Sequence, residues 1–82
     1  MGIQASEDYG SLQKLVDILY SEKQMVSRLE VINMAEVLDM CSDLQDLVNA
    51  LPPGIYPKTI LCDEINSIIA ARAWGFVYGT VE

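Results

Sequence analysis

The stretch from Ser27 to Gly54 constrains the fold most strongly, because it contains a helix start, an interior without glycine or proline, and a stop. Ser27-Arg28-Leu29-Glu30 matches a capping box, in which the serine and glutamate side chains accept hydrogen bonds from backbone N–H groups of the first turn. Leu51-Pro52-Pro53-Gly54 ends the segment, since proline disfavours helical geometry in the residue before it. The pattern predicts one long helix over about residues 28–50.

Two amphipathic stretches flank this segment. Each repeats apolar residues at steps of three and four, which is the period of a helix with one buried face. They predict helices over about residues 8–24 and 58–74, and Gly10 leaves Ser11 as an alternative start for the first. The apolar residues are Leu12, Leu15, Val16 and Leu19 in the first stretch and Leu61, Ile65, Ile68 and Ile69 in the second.

The residues from Phe76 to Glu82 are richer in aromatic and β-branched types than the helices before them. They fit a short strand, which would need residues 2–5 or another chain as its pairing partner. They also fit a tail that folds back over the helix ends, with Phe76 and Tyr78 in the core. We therefore predict an all-α fold, a small bundle of three main helices with a short C-terminal extended tail, in a single domain over residues 1–82.

The composition is that of an acidic, folded chain. Its 82 residues include twelve Asp or Glu and five Lys or Arg, for a formal net charge of −7, and 51% of them are hydrophobic. The basic residues are scattered, which argues against direct binding to nucleic acid or to an anionic membrane. No apolar run approaches the roughly 20 residues of a spanning helix, and the first residues lack a basic and apolar leader. We expect a cytoplasmic protein, in a bacterial or host cell, that attracts basic protein surfaces.

Four carboxylates, Glu36, Asp39, Asp43 and Asp46, follow one another at steps of three, four and three with no Lys, Arg or His among them. On one continuous helix they would project together, spaced about 4.5 to 6 Å along the axis. Each neighbouring pair would cost roughly 0.2–0.5 kcal/mol in repulsion. Such a row would present a negative ladder to a basic groove, much as a nucleic-acid strand does. We predict that the four residues bind a partner; the alternative is an ordinary solvated surface.

In charge and size the chain is similar to phage-encoded DNA mimics, to anti-defence inhibitors and to acidic bacteriocin immunity proteins, although it shares no sequence motif with them. The similarity implies a small inhibitor that occupies the basic surface of a nucleic-acid-handling or defence protein. The similarity is one of charge and size, and it does not imply a common ancestor.

A second hypothesis is self-association. Small residues in the third predicted helix allow another helix to approach closely, and large rings follow them at its end. These features predict a homodimer, and with it an alternative function as a self-associating structural or regulatory protein. The residues concerned are Ser67, Ala70, Ala71, Trp74, Phe76 and Tyr78.

Catalysis and metal binding are not expected. The chain has no histidine, which removes the commonest general base and the usual partner of a nucleophilic Ser or Cys. Cys41 and Cys62 have no histidine to complete a zinc site, and the segment from Asp39 to Asp46 lacks the glycine and final glutamate of a calcium loop. A Cys41–Cys62 disulfide is conceivable between packed helices, but a cytoplasmic chain would keep both thiols reduced. We predict no enzyme activity, cofactor or metal.

Overall fold

The computed structural model describes residues 7–82, which form five helices and a two-stranded antiparallel sheet. The chain is mostly helical, as predicted, but it is not a plain bundle of three helices with an extended tail. In chain order the elements are α1 Ser11–Leu19, β1 Met25–Ser27, α2 Arg28–Val37, α3 Ser42–Asn49, β2 Ile55–Pro57, α4 Lys58–Ala71 and α5 Gly75–Tyr78.

The long helix predicted over residues 28–50 is wrong, because the chain breaks it into α2 and α3 at Asp39. Asp39 has a φ of 53°, in the left-handed region. The N–H of Met40 donates to the carbonyl of Ala35 at 3.1 Å, and the N–H of Asp39 donates to the carbonyl of Glu36 at 3.0 Å. These two bonds are a Schellman motif, which closes a helix and turns the chain away from its axis. Aspartate is one of the few non-glycine residues that adopt this conformation readily.

The predicted start of α2 is confirmed. The Ser27 hydroxyl accepts from the Glu30 N–H, and the Glu30 carboxylate accepts from the Ser27 N–H, both at 3.2 Å. Val26 and Val31, on either side of this box, are both buried, as in a hydrophobic staple. Four residues of sequence are therefore enough to predict where α2 starts.

The short sheet, which was not predicted, connects the beginnings of α2 and α4. Val26 pairs with Tyr56 at the centre of the antiparallel register, and each strand leads directly into its helix. The first helix is consequently shorter than the predicted 8–24: α1 starts at Ser11, the alternative start, and ends at Leu19, before the turn into β1. The helix predicted over residues 58–74 corresponds to α4, which starts at Lys58 as predicted and ends three residues earlier, at Ala71.

The order of strand, helix, left-handed turn and second helix occurs twice. In the second unit, β2 and α4 are followed by Ala73, with a φ of 56°, and then by α5. The N–H of Trp74 donates to the carbonyl of Ile69 at 2.9 Å and the N–H of Ala73 to that of Ala70 at 3.2 Å. Both units thus end their longer helix with the same Schellman motif, although neither uses glycine.

The C-terminal residues are not an extended tail with a strand: Gly75–Tyr78 form one helical turn, and Gly79–Glu82 run on without regular structure. Tyr78 and Val81 enter the core, whereas Phe76 stays exposed, so the fold-back alternative holds for one of its two rings. Pairing with residues 2–5 lies outside the described residues. The rest of the core comes from every longer helix and from both strands, and includes Leu12, Leu15, Val26, Val31, Leu44, Leu47, Leu61 and Ile65.

None of the helices within residues 7–82 has the length and apolar character needed to cross a membrane.

Candidate functional site

The four predicted binding carboxylates surround the turn between α2 and α3, and we call this group, Glu36, Asp39, Asp43 and Asp46, the acidic corner. Glu36 lies in the last turn of α2, Asp39 in the turn itself, and the other two on α3. The regular ladder of one helix is therefore absent. Asp43 falls in the first turn of α3, where the helix dipole favours a negative charge. On the single helix predicted over residues 28–50, Asp43 would instead lie toward the C-terminal, negative end of the dipole.

Asp43 has a structural partner. The Tyr78 hydroxyl donates to Asp43 Oδ2 at 2.8 Å, and the Cys41 thiol lies 3.9 Å from the same hydroxyl. The hydrogen bond to the carboxylate, followed by burial of the ring, raises the pKa of Tyr78 well above its usual range. One of the four predicted binding residues thus holds α5 against the start of α3.

The side chains of the other three corner residues have no such partner. Glu36, Asp39 and Asp46 are exposed, and none of their carboxylate groups makes a hydrogen bond or ion pair within residues 7–82. Asp39 is constrained by its left-handed backbone. Glu36 and Asp46 lie in helices with ordinary geometry, so their side chains are the most adaptable of the corner.

Three of the basic side chains have partners other than the carboxylates of the acidic corner. Lys23 forms an ion pair with Glu30, the sole ion pair found within residues 7–82. Arg28 donates from Nε to the carbonyl of Leu51 and from Nη2 to that of Asn49, each at 2.7 Å. Arg72 lies over the ring of Trp74, 5.1 Å from its centroid. These contacts leave the corner carboxylates without a cation from any of the three.

Two largely exposed apolar residues lie on α2 and α5, the helices that supply Glu36 and the tyrosine bonded to Asp43. Val37, which follows Glu36, is 76% exposed because α2 ends there and the chain turns away. Phe76 is 79% exposed on α5, two residues before the Tyr78 that bonds Asp43. On the continuous helix predicted over residues 28–50, Val37 would lie on the apolar face, so its exposure is not evident from the sequence.

The residues predicted for self-association divide into three groups. Ser67, Ala70 and Ala71 are exposed on α4. Trp74 is half-buried and packs edge to face on Tyr78, with 5.2 Å between ring centroids, and Tyr78 itself is only 7% exposed. Among the three rings, Phe76 alone stays largely available to another chain, so the apolar patch is smaller than expected.

A groove of about 300 Å³ lies between the end of α1 and α2. Ile18, Met34 and Val37 supply apolar wall, and the ion pair of Lys23 with Glu30 lies at its rim. Glu30 has a lowered pKa because its carboxylate accepts hydrogen bonds from Lys23 and from the Ser27 backbone. The groove adds an apolar recess beside Val37, within reach of the acidic corner.

The Cys, Asp and Glu side chains are the candidate metal-binding and thiol groups of residues 7–82. No cluster of three or more His, Cys, Asp or Glu side chains within residues 7–82 has the arrangement of a metal site. Cys41 and Cys62 are both free thiols, so the conceivable disulfide between them is not formed. Burial raises the pKa of the Cys62 thiol, which makes it a weak source of thiolate.

Comparisons with models of protein families, with curated proteins and with solved structures find no match to this chain.

Proposed function

We propose that the protein is a non-enzymatic interaction module whose acidic corner docks on a basic surface of another protein. The observation that carries the proposal is the electrostatic imbalance of the corner. The carboxylates of Glu36, Asp39 and Asp46 are exposed and unpaired within residues 7–82. Lys23, Arg28 and Arg72 contact other groups instead. Exposed charge of one sign attracts the opposite sign over about a Debye length, roughly 8–10 Å, and steers association.

The partner class that fits this chemistry is a protein with clustered Lys and Arg, such as one that handles nucleic acid. A small acidic domain lodged on such a surface would exclude phosphate groups from it, so inhibition is the proposed outcome. The net charge of −7 supports this direction of attraction. We place the complex in the cytoplasm, where the free thiols of Cys41 and Cys62 would remain reduced.

Charge alone provides steering rather than a tight complex, so the proposal includes an apolar anchor. Val37 and Phe76 are both more than three-quarters exposed, and large apolar side chains near the centre of an interface commonly contribute most of the binding energy. Val37 adjoins the corner and the groove between α1 and α2. We assign it the role of anchor, with the carboxylates as the polar rim.

The test compares two double charge reversals of equal size. Glu36→Lys with Asp46→Lys changes the corner, whereas Glu7→Lys with Asp63→Lys changes two exposed carboxylates elsewhere. A partner captured by the wild-type chain should be lost by the corner variant and kept by the control. If both variants retain it, or both lose it, the corner is not the contact and the proposal fails.

Self-association through α4 and α5 is the second candidate function. The exposed ring of Phe76 on α5 and the exposed Ala70 and Ala71 on the preceding helix favour it. Sedimentation velocity at high micromolar concentration should then show a homodimer that Phe76→Ser abolishes. A monomer for the wild-type chain under those conditions would exclude this candidate while leaving the first intact.

A further inference from the structure

The groove between α1 and α2 has an apolar wall on each of the two helices. Ile18 and Leu19 are the last residues of α1, and Met34 and Val37 lie one turn apart near the end of α2. Ile18 is 37% and Val37 76% exposed, so part of this apolar surface remains in contact with water. Met34 is half-buried, and its unbranched thioether can adapt to the shape of an incoming side chain.

The same groove offers few hydrogen-bond partners to an incoming backbone. The Ser21 hydroxyl already donates to the carbonyl of Ile18 at 2.9 Å, and Lys23 is paired with Glu30. Asn33 is left as an uncharged polar side chain without a hydrogen bond within residues 7–82. An extended segment would bring backbone N–H and C=O groups that need partners, whereas a helix satisfies most of its own. The wall therefore suits a helix better than a strand.

Unpaired negative charge lies beside the groove on the side of each helix. Glu22, which follows α1, lines it directly. Glu36 lies three residues after Asn33 on α2, and residues at this spacing are neighbours on one helix face. Both carboxylates are exposed, and neither makes a hydrogen bond or ion pair within residues 7–82. Because Lys23 and Glu30 neutralise each other, the groove favours an occupant with positive charge on both of its flanks.

We propose that the groove between α1 and α2 receives a basic amphipathic helix of the partner protein. Aliphatic side chains of that helix pack against Ile18, Met34 and Val37, and its Lys or Arg side chains face Glu22 and Glu36. This is the helix-in-groove mode of recognition, with charge complementarity along the rim. The inference rests on the proposed function, since it names the element of the basic partner that docks beside the acidic corner.

The test measures binding of a designed helix to the full chain by fluorescence anisotropy. The probe is a fluorescein-labelled peptide of about 16 residues, long enough to form a helix, with Leu on one face and Lys on the other. Ile18→Arg puts a positive charge on the groove wall and should weaken binding about tenfold or more, because like charges then meet. Asn33→Arg, at an exposed polar position on the opposite wall, should do the same and decides the question if Ile18→Arg does not fold.

Ile60→Arg is the matched control. Ile60 is an isoleucine on α4 that is 47% exposed and does not line the groove, and its replacement changes the net charge as much as Ile18→Arg does. It should bind the peptide within about twofold of the wild type, since the long-range attraction is then reduced equally and only the local contact differs. A second peptide of the same composition, with its Leu residues spread around the helix, should bind about tenfold or more weakly. Far-UV circular dichroism should show a gain of helix when the amphipathic peptide binds.

The inference is overturned if the wild type does not bind the amphipathic peptide, if the spread peptide binds equally well, or if binding adds no helix. It is also overturned if the groove variants and Ile60→Arg bind alike. A wild-type dimer that Ile18→Arg dissolves and Ile60→Arg does not would make a second copy the occupant.

Failure of the groove can be told apart from failure of the acidic corner. A captured partner that Glu36→Lys with Asp46→Lys releases, but Ile18→Arg retains, would overturn the groove and leave the proposed function intact. A partner released by Ile18→Arg and retained by the corner variant would overturn the proposed function and support the groove as the contact.

Discussion

Tyr78 shows how a single residue ties the C-terminal helix to the rest of the molecule. Its ring is buried against Trp74, and its hydroxyl donates to the exposed carboxylate of Asp43. A hydrogen bond to an ionised group is among the stronger ones in proteins. Asp43 is thus the one corner residue whose carboxylate has a hydrogen-bond partner within residues 7–82.

Tyr78→Phe should lower the free energy of unfolding by about 1–2 kcal/mol at pH 7, because the charge-assisted bond is lost. The raised pKa of Tyr78 also predicts the pH dependence. Its stabilising effect is fully present below the unfolded pKa of about 10 and is lost as the pH rises above it, since the unfolded tyrosine then releases its proton while the folded one keeps it. Urea unfolding at pH 7, 9.5 and 10.5 measures both effects.

The alkaline loss should be shallower in Tyr78→Phe than in the wild type. It should not vanish, because burial also raises the pKa of Tyr20 to about 12 and that of Tyr56 above its usual value. Tyr9→Phe is the matched control, since Tyr9 is exposed and its hydroxyl makes no hydrogen bond within residues 7–82. Equal alkaline slopes for the wild type and Tyr78→Phe would contradict the assignment.

At the scale of the helices, two left-handed turns determine where α2 and α4 end and where the next helix begins. Asp39 and Ala73 both adopt positive φ where glycine is usual, at an energetic cost that is larger for alanine than for aspartate. Those turns separate α2 from α3 and α4 from α5. The molecule therefore consists of short helices joined by local turns. The turn at Asp39 creates the acidic corner, and the turn at Ala73 leads into α5, where Phe76 is exposed.

Ala73→Gly should raise the free energy of unfolding by about 0.5–1 kcal/mol, because glycine relieves the left-handed strain by more than it adds to the entropy of the unfolded chain. Ala70→Gly, an exposed position inside α4, is the control and should lower it by a similar amount. Thermal and urea unfolding give both values. A loss of stability in both variants would mean that Ala73 is not strained.

Arg28 stabilises the end of another helix. Its guanidinium donates to the carbonyls of Asn49 and Leu51, at the C-terminus of α3, where a positive charge is favourable. Arg28→Met should cost about 1.5–3 kcal/mol, since two hydrogen bonds from a charged group are lost. Arg72→Met, which removes a stacking contact on Trp74 and no hydrogen bond to a helix end, should cost less in the same urea titration. Equal losses would contradict this role.

Structure that depends on neighbouring residues with a known motif could be predicted from the sequence. Contacts between residues far apart in the chain could not. The capping box of Ser27 and Glu30 lies within four residues, so its chemistry is visible in the sequence. The turn at Asp39 was missed because its strongest marker, glycine, is absent. The strands were missed because three residues are too few to show an alternating pattern. The side chain of Gln13 forms hydrogen bonds with the backbone of Glu82, 69 residues away, and nothing in the sequence relates two such residues.

At the scale of the whole molecule, the distribution of charge matters more than its total. The net charge of −7 predicts attraction to basic surfaces in general. Our proposal places this attraction at the acidic corner, where Asp43 is bonded to Tyr78 and no carboxylate forms an ion pair within residues 7–82. Glu36 and Asp46 are exposed carboxylates on the helices before and after the turn at Asp39. Val37 lies between them in sequence.

The most direct measurement is the affinity of a captured basic partner for the Glu36→Lys and Asp46→Lys double variant, titrated at low and at physiological ionic strength. We predict a loss of several kcal/mol, a factor of at least about 100 in Kd, and a shallower salt dependence than that of the wild type. Unfolding of the isolated variant should show stability unchanged or slightly higher, because Lys at the end of α2 suits the helix dipole. Affinity and salt dependence equal to those of the wild type would contradict the account.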